Sequence, residues 1–125
     1  MPVTFNHTII ASRDREESAR FYRELLELPA APSWGVFTNI MLSEGVLLQF
    51  AEPPVDHIQM QHYAFLVDDD LFDRAYRRIV ERGIDHWAGP GGKGPGQTNT
   101  EHGGRGVYFM DAAGHGLELI TRPYL

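Results

Sequence analysis

Apolar and polar positions change period along this chain in one order, and then do so again. The first segment, "TFNHTIIA" (4–11), is short and rich in β-branched and aromatic residues, which predicts a strand. After the polar run that follows, Phe21, Leu25 and Leu28 recur at i, i+4 and i+7, the spacing of one helical face, with Ser12 or Asp14 available as its cap. Two more strands are predicted at "GVFTNIML" (35–42) and "GVLLQFA" (45–51), joined by a turn at "SEG". The second passage opens with a strand at "QHYAFLV" (61–67). A helix follows whose apolar face is Leu71, Ala75, Ile79 and Val80, and Gly83 stops it. Strands then return at "IDHWAG" (84–89), "GVYFMD" (106–111) and "LELIT" (117–121), the last two joined by the turn "DAAGHG" (111–116).

The two passages align as well as resemble each other. At an offset of 55 residues His7 meets His62, Asp14 meets Asp69, Phe21 meets Tyr76 and Leu25 meets Val80. At the ends, "LLQFAEPP" (47–54) meets "GLELITRP" (116–123) at an offset of 69, which sets Gln49 against Glu118. A glycine-rich insertion, "AGPGGKGPGQTNTEHGGRG" (88–106), absorbs the difference. A repeat longer than 50 residues that occurs twice is not a solenoid; it is one folding unit used twice. The expectation is an α+β protein: one domain over 1–125 made of two tandem β-α-β-β-β units, about 4–54 and 59–124.

Composition narrows the function classes. The length of 125 residues fits one domain, and 42% hydrophobic residues can fill a core. The net charge of −6, with basic residues clustered only at Arg74, Arg77 and Arg78, gives no footprint for nucleic acid. The absence of cysteine removes disulfides, thiolate metal sites and a cysteine nucleophile. No apolar run reaches the roughly 20 residues that span a bilayer, and "MPVTFNH" is not a signal peptide, so a cytoplasmic protein with no membrane partner is expected.

The duplicated unit, a histidine in the first strand of each half and the ending "YFMDAAGHGLELITRPY" together resemble the vicinal oxygen chelate superfamily. That group includes glyoxalase I, extradiol dioxygenases, fosfomycin resistance proteins and bleomycin-binding proteins. The resemblance covers about residues 4–124 and implies a curled mixed sheet around a metal cleft. It also implies that His7, Gln49, His62 and Glu118 occupy the metal-ligand positions. Two imidazoles and a carboxylate with open positions suit Fe(II), and also Mn(II), Co(II), Ni(II) or Zn(II). A carboxylate inside the apolar run "GLELIT" needs a partner or an ion. Many glyoxalase-type sites carry glutamate where this chain has Gln49, whose amide can ligate but has no usable basicity. The expected set is therefore His7, His62 and Glu118 as metal ligands, with Gln49 as a weak or absent fourth that bears on catalysis.

The stretch "TEHGGRGVYFMDAAGHGLE" (100–118) also resembles the extradiol dioxygenase signature, which points to Tyr108 as a catalytic residue and, less closely, to His102. Only four residues separate His102 from Val107, and Ala112 stands where that signature has proline. The other reading of Tyr108 is a wall residue of the sheet. Lys93 reads as a solvated loop lysine, with contact to an anionic group as the alternative, Arg122 is a candidate to steer an anion, and His57, His86 and His115 are read as surface, loop or turn residues. The glycine-rich stretch 89–96 lacks the strand–loop–helix context of a phosphate cradle and suits a lid.

The expected function is a metal-dependent enzyme acting on a small oxygenated organic molecule chelated to a divalent ion. The alternative is an antibiotic- or small-molecule-binding resistance protein without catalysis, which needs only an aromatic cleft. Short two-unit members of the superfamily often pair as homodimers with shared sites, so His7 of one chain could serve His62 and Glu118 of another. Substrate, native metal and reaction stay open at this level.

Overall fold

The computed structural model describes residues 2–125. It holds two compact units, one ending at Ile58 and the other beginning at Gln59. The fold is α+β, with one helix and one mixed sheet in each unit.

In the first unit, strand β1 (His7–Ala11) leads into helix α1 (Arg15–Leu26), followed by β2 (Thr38–Met41) and β3 (Leu47–Ala51). Of the two possible caps, Asp14 is the one used: its carboxylate accepts from the N–H groups of Glu16 and Glu17, both at 3.1 Å. Such a cap is worth about 1 kcal/mol. Ser18, Ala19, Tyr22, Leu25 and Leu26 face inward. The buried aromatic of α1 is thus Tyr22 rather than Phe21, because the face is centred one residue later than the i, i+4, i+7 reading placed it. Tyr22 packs on Phe50 of β3 with ring centroids 4.9 Å apart. The sheet order is β1-β3-β2, with β1 parallel and β2 antiparallel to β3. The unit's fourth strand is reduced to a single bridge between Ala30 and Ile40, in a stretch bounded by Pro29 and Pro32 that cannot sustain a ladder.

The second unit runs β4 (His62–Leu66), α2 (Asp69–Glu81), β5 (His86–Gly89), β6 (Lys93–Pro95), β7 (Gly106–Met110) and β8 (Gly116–Ile120). Asp68, not the repeat-equivalent Asp69, caps α2 by accepting from the Leu71 N–H at 2.8 Å. The buried face of α2 is Phe72, Ala75 and Ile79, with Val80 left half exposed. Gly83 takes the left-handed conformation (φ 64°) just past the helix, as its sequence position predicts. Arg105, at the foot of β7, ties down the other end of α2. Its guanidinium donates to Asp73 at 2.7 Å and Asp69 at 3.1 Å, and lies 4.5 Å above the Phe72 ring.

The sheet order here is β4-β8-β7-β5-β6, again with the first and last strands parallel. Strand β6 lies inside the glycine-rich insertion, where alternation is too weak to signal a strand. It pairs antiparallel with β5, Trp87 opposite Pro95 and Gly89 opposite Lys93, so the expected lid is an edge hairpin of the sheet. The "DAAGHG" turn is fixed by Asp111, whose carboxylate accepts from the N–H groups of Ala113 (3.0 Å) and His115 (2.8 Å).

The repeat is reproduced to the level of register. His7 stands opposite Leu47 and Ile9 opposite Gln49; His62 stands opposite Gly116 and Ala64 opposite Glu118. In each unit the histidine and the Gln or Glu therefore sit on the same face of neighbouring parallel strands, one diagonal step apart.

Candidate functional site

Glu118 lies in the middle strand pair of the second sheet, flanked in sequence by buried Leu117 and Leu119, and its side chain is only 3% exposed. An ionised carboxylate withdrawn that far from water costs on the order of several kcal/mol unless its oxygens are matched. Both are matched. Oε1 lies 3.1 Å from His62 Nε2, and Oε2 accepts a hydrogen bond from the Tyr124 hydroxyl.

The His62 ring is oriented from its other side. Nδ1 is 3.1 Å from the backbone carbonyl of Gly116, an oxygen that can only accept, so Nδ1 carries the proton. In the neutral ring Nε2 is then a lone pair facing a carboxylate oxygen. Two acceptors at 3.1 Å require a proton or a cation between them. This is the anchoring pattern of a metal-bound imidazole, whose second nitrogen is held by a carbonyl. The separation also suits two donors that share one ion at about 2.0–2.2 Å each. The residues therefore fit a divalent metal.

His7 repeats the arrangement in the first unit. Its Nδ1 lies 2.7 Å from the Asn6 side-chain oxygen, which leaves Nε2 available, and the ring is exposed. Gln49 sits on the same sheet face, 6% exposed, in β3. Among the described residues, no group of three or more His, Cys, Asp or Glu side chains comes together as a metal-holding set. What one copy of the second unit assembles is a pair, His62 and Glu118.

Tyr108 joins that pair. It is opposite Glu118 in the β7–β8 ladder, and its ring stacks on His62 with centroids 6.0 Å apart and planes 17° from parallel. Burial raises its hydroxyl pKa above the usual value, so it remains a hydrogen-bond donor at neutral pH. His62, Tyr108 and Glu118 open into a cavity of about 650 Å³ within the second unit. Trp87, Met60, Met110 and Leu117 supply its apolar wall, and the backbone of Gly89–Gly92 closes one side. Among the described residues no lysine or arginine lines it. Lys93 is exposed on β6, and the Arg122 guanidinium donates to the carbonyl of Thr121 at 2.9 Å.

Three residues have roles that periodicity could not expose. Tyr124, in the irregular tail after β8, reaches Glu118; it falls outside every predicted element, and only the fold brings it there. Its hydroxyl pKa is raised, chiefly by the bond to Glu118. His115 is no simple turn residue: it is 1% exposed, and its Nδ1 accepts the N–H of Gln61 at 3.0 Å, fixing the backbone next to His62. His86 is half-buried in β5, between the Tyr76 hydroxyl and the Ile84 carbonyl at 3.0 Å each, which makes it a structural bridge. His102 stacks on Tyr124, with centroids 4.0 Å apart, and does not line the cavity. No helix among the described residues is long and apolar enough to cross a membrane.

The chain is similar to proteins of known structure over almost all of its length. It is 48% identical to "Oxidase ChaP-H1", covering 98% of both chains with a TM-score of 0.94. It is 45% identical to "Oxidase ChaP-H2", covering 99% of this chain and 97% of that one, with a TM-score of 0.95. It is also 31% identical over 123 residues to "Glutathione transferase FosA" of Serratia marcescens, covering 93% of this chain and 79% of that protein. Residues 4–119 match the family model of the Glyoxalase/Bleomycin resistance protein/Dioxygenase superfamily, and the chain belongs to that superfamily.

Proposed function

We propose that this protein is a metal-dependent oxidase acting on an apolar, ring-bearing organic molecule with two neighbouring oxygens. The observation that carries the reading is the contact of His62 Nε2 with the buried Glu118 Oε1, 3.1 Å apart at the base of an apolar cavity. A divalent ion held there would supply a Lewis acid for the two substrate oxygens and, as Fe(II), a redox partner for O2. His62 and Glu118 would hold the ion. Tyr108 stacks on His62 and lines the substrate space, and Trp87, Met60 and Met110 exclude water around the rings. The cavity volume of about 650 Å³ lies in the range of drug-sized ligand sites. The similarity to two proteins named oxidases, at 45% and 48% identity, supports the oxidative reading.

The third ligand in this proposal is His7 of a second copy, in a homodimer. Support comes from the equivalent register of His7 and His62 and from the position of β1 and β4 at the edges of their sheets. Exposed Ile9 and Leu66 on those strands are apolar surface that a dimer would cover. A sequestering module without catalysis would have the same apolar wall. It would not need a buried carboxylate at its base, and that favours the enzyme.

The test is anaerobic loading with Fe(II), followed by O2 uptake with catechols and larger ortho-oxygenated aromatics. Metal binding near one ion per chain and uptake with the larger ring systems are expected, with both lost in Glu118→Gln and His62→Ala. Stoichiometric metal in both variants would overturn the metal assignment. Metal binding without O2 uptake on any member of the panel would overturn the oxidase.

A further inference from the structure

We infer that Tyr124 is a positioning residue of the metal centre: its hydroxyl holds Glu118 Oε2, so that Glu118 presents a single oxygen, Oε1, beside His62. This rests on the metal reading of the His62–Glu118 pair and adds a residue to it that lies outside every regular element of the fold.

The hydrogen bonds have only one consistent direction. Glu118 Oε2 can only accept, so Tyr124 spends its one proton there. The Tyr108 hydroxyl lies 3.4 Å from that of Tyr124, so in this contact Tyr108 is the donor and Tyr124 the acceptor. The result is a directed chain, Tyr108 to Tyr124 to Glu118, that ends on the oxygen turned away from His62. Each link polarises the next.

The ring of Tyr124 is placed by a second contact. His102 stacks on it at 4.0 Å between centroids and 21° between planes. His102 is also one of three non-glycine residues described with positive φ, at 57°. That backbone region costs a residue of this type on the order of 1 kcal/mol, and such costs persist where the surrounding structure holds them for a purpose. The stacked imidazole gives the Tyr124 ring a platform. The tail after β8 has no sheet pairing of its own, and the stacked imidazole fixes where its tyrosine lies.

The consequence is specific. A carboxylate with both oxygens free can spread over an ion and occupy a position that substrate or O2 needs. Tyr124 removes one of the two oxygens from that competition. Partners of this kind, which orient a ligand without touching the ion, typically change metal affinity 10- to 100-fold when removed.

The test is titration of metal-stripped protein with cobalt(II) chloride, followed by visible absorption, for the wild type, Tyr124→Phe, His102→Ala and Tyr108→Phe. Far-UV circular dichroism confirms that each variant is folded. Tyr124→Phe keeps the ring and its stacking but loses the hydroxyl. Its cobalt affinity should fall about 10- to 100-fold, and its spectrum should shift because the released oxygen can join the coordination sphere. His102→Ala should move both readouts in the same direction by less. Tyr108→Phe should move the spectrum less than Tyr124→Phe, since the Tyr124–Glu118 bond survives. Wild-type affinity and spectrum in Tyr124→Phe would overturn the assignment while leaving the metal reading intact. A fall in affinity with an unchanged spectrum would reduce Tyr124 to a structural contact and overturn it equally. A wild type that binds no cobalt would overturn the metal reading and this inference with it.

Discussion

His62 and Glu118 are 56 residues apart in sequence, and their side chains meet at 3.1 Å across the parallel ladder of β4 and β8. The parallel pairing makes the meeting possible. It sets His62 opposite Gly116, so the imidazole lies over a residue with no side chain and can reach diagonally to Glu118. A Cβ at position 116 would lie 3.7 Å from His62 Nδ1, in ordinary contact, but a larger side chain would crowd the ring. Because Nδ1 is committed to the Gly116 carbonyl, the ring cannot turn away without losing that bond.

If the third ligand comes from a second copy, sites can be rebuilt from two broken chains. His7→Ala and Glu118→Gln should each lack activity alone. After verified subunit exchange, random pairing into two-fold dimers should leave about a quarter of the sites with all three ligands. Activity recovering towards that fraction is the expected result. Complete absence of recovery would place the third ligand within one chain or outside this set.

His115 offers a separate test on the stability side. Its imidazole is buried and accepts the Gln61 N–H at 3.0 Å, while the next residue's N–H donates back to the Gln61 carbonyl at 2.9 Å. Replacement by alanine strands a backbone donor and leaves a cavity, together about 2–4 kcal/mol. Denaturant unfolding should register that loss in metal-free protein. Metal affinity should fall as well, because the clamp holds the strand that carries His62. A midpoint within error of the wild type would show that water replaces the imidazole without cost.

Gln49 separates two chemistries. Proton abstraction by a placed carboxylate contributes on the order of 100- to 10,000-fold in rate. Were this an isomerase lacking its base, Gln49→Glu would raise methylglyoxal–thiol turnover towards that range. Under the oxidase reading, an added negative charge near the ion makes it less electrophilic and lowers turnover of the aromatic substrate. We expect the decrease. Steady-state rates on both substrate classes decide the point, and a hundred-fold gain in isomerisation would reverse the conclusion.

The sequence by itself determined the repeat, and through the repeat the α+β class and the pairing of His62 with Glu118 in the candidate site. Short-range physics is periodic: strand alternation, a helical face and a turn residue each leave a local mark. His62 and Glu118 stood out because a histidine recurred at one offset and a carboxylate sat inside an apolar strand. The same marks misplaced the α1 face by one residue, since Phe21 and Tyr22 are equally apolar neighbours and only packing on Phe50 selects Tyr22. They were silent on β6, whose glycines and proline carry no alternation and which exists because β5 offers an edge to pair with. They gave His115 as turn chemistry and gave Tyr124 nothing at all. Both act through contacts of long sequence separation or from an irregular tail, where no period can announce them. What the tertiary structure decided is which polar atoms a buried carboxylate finds when water is gone, and that depends on register across strands rather than on order along the chain.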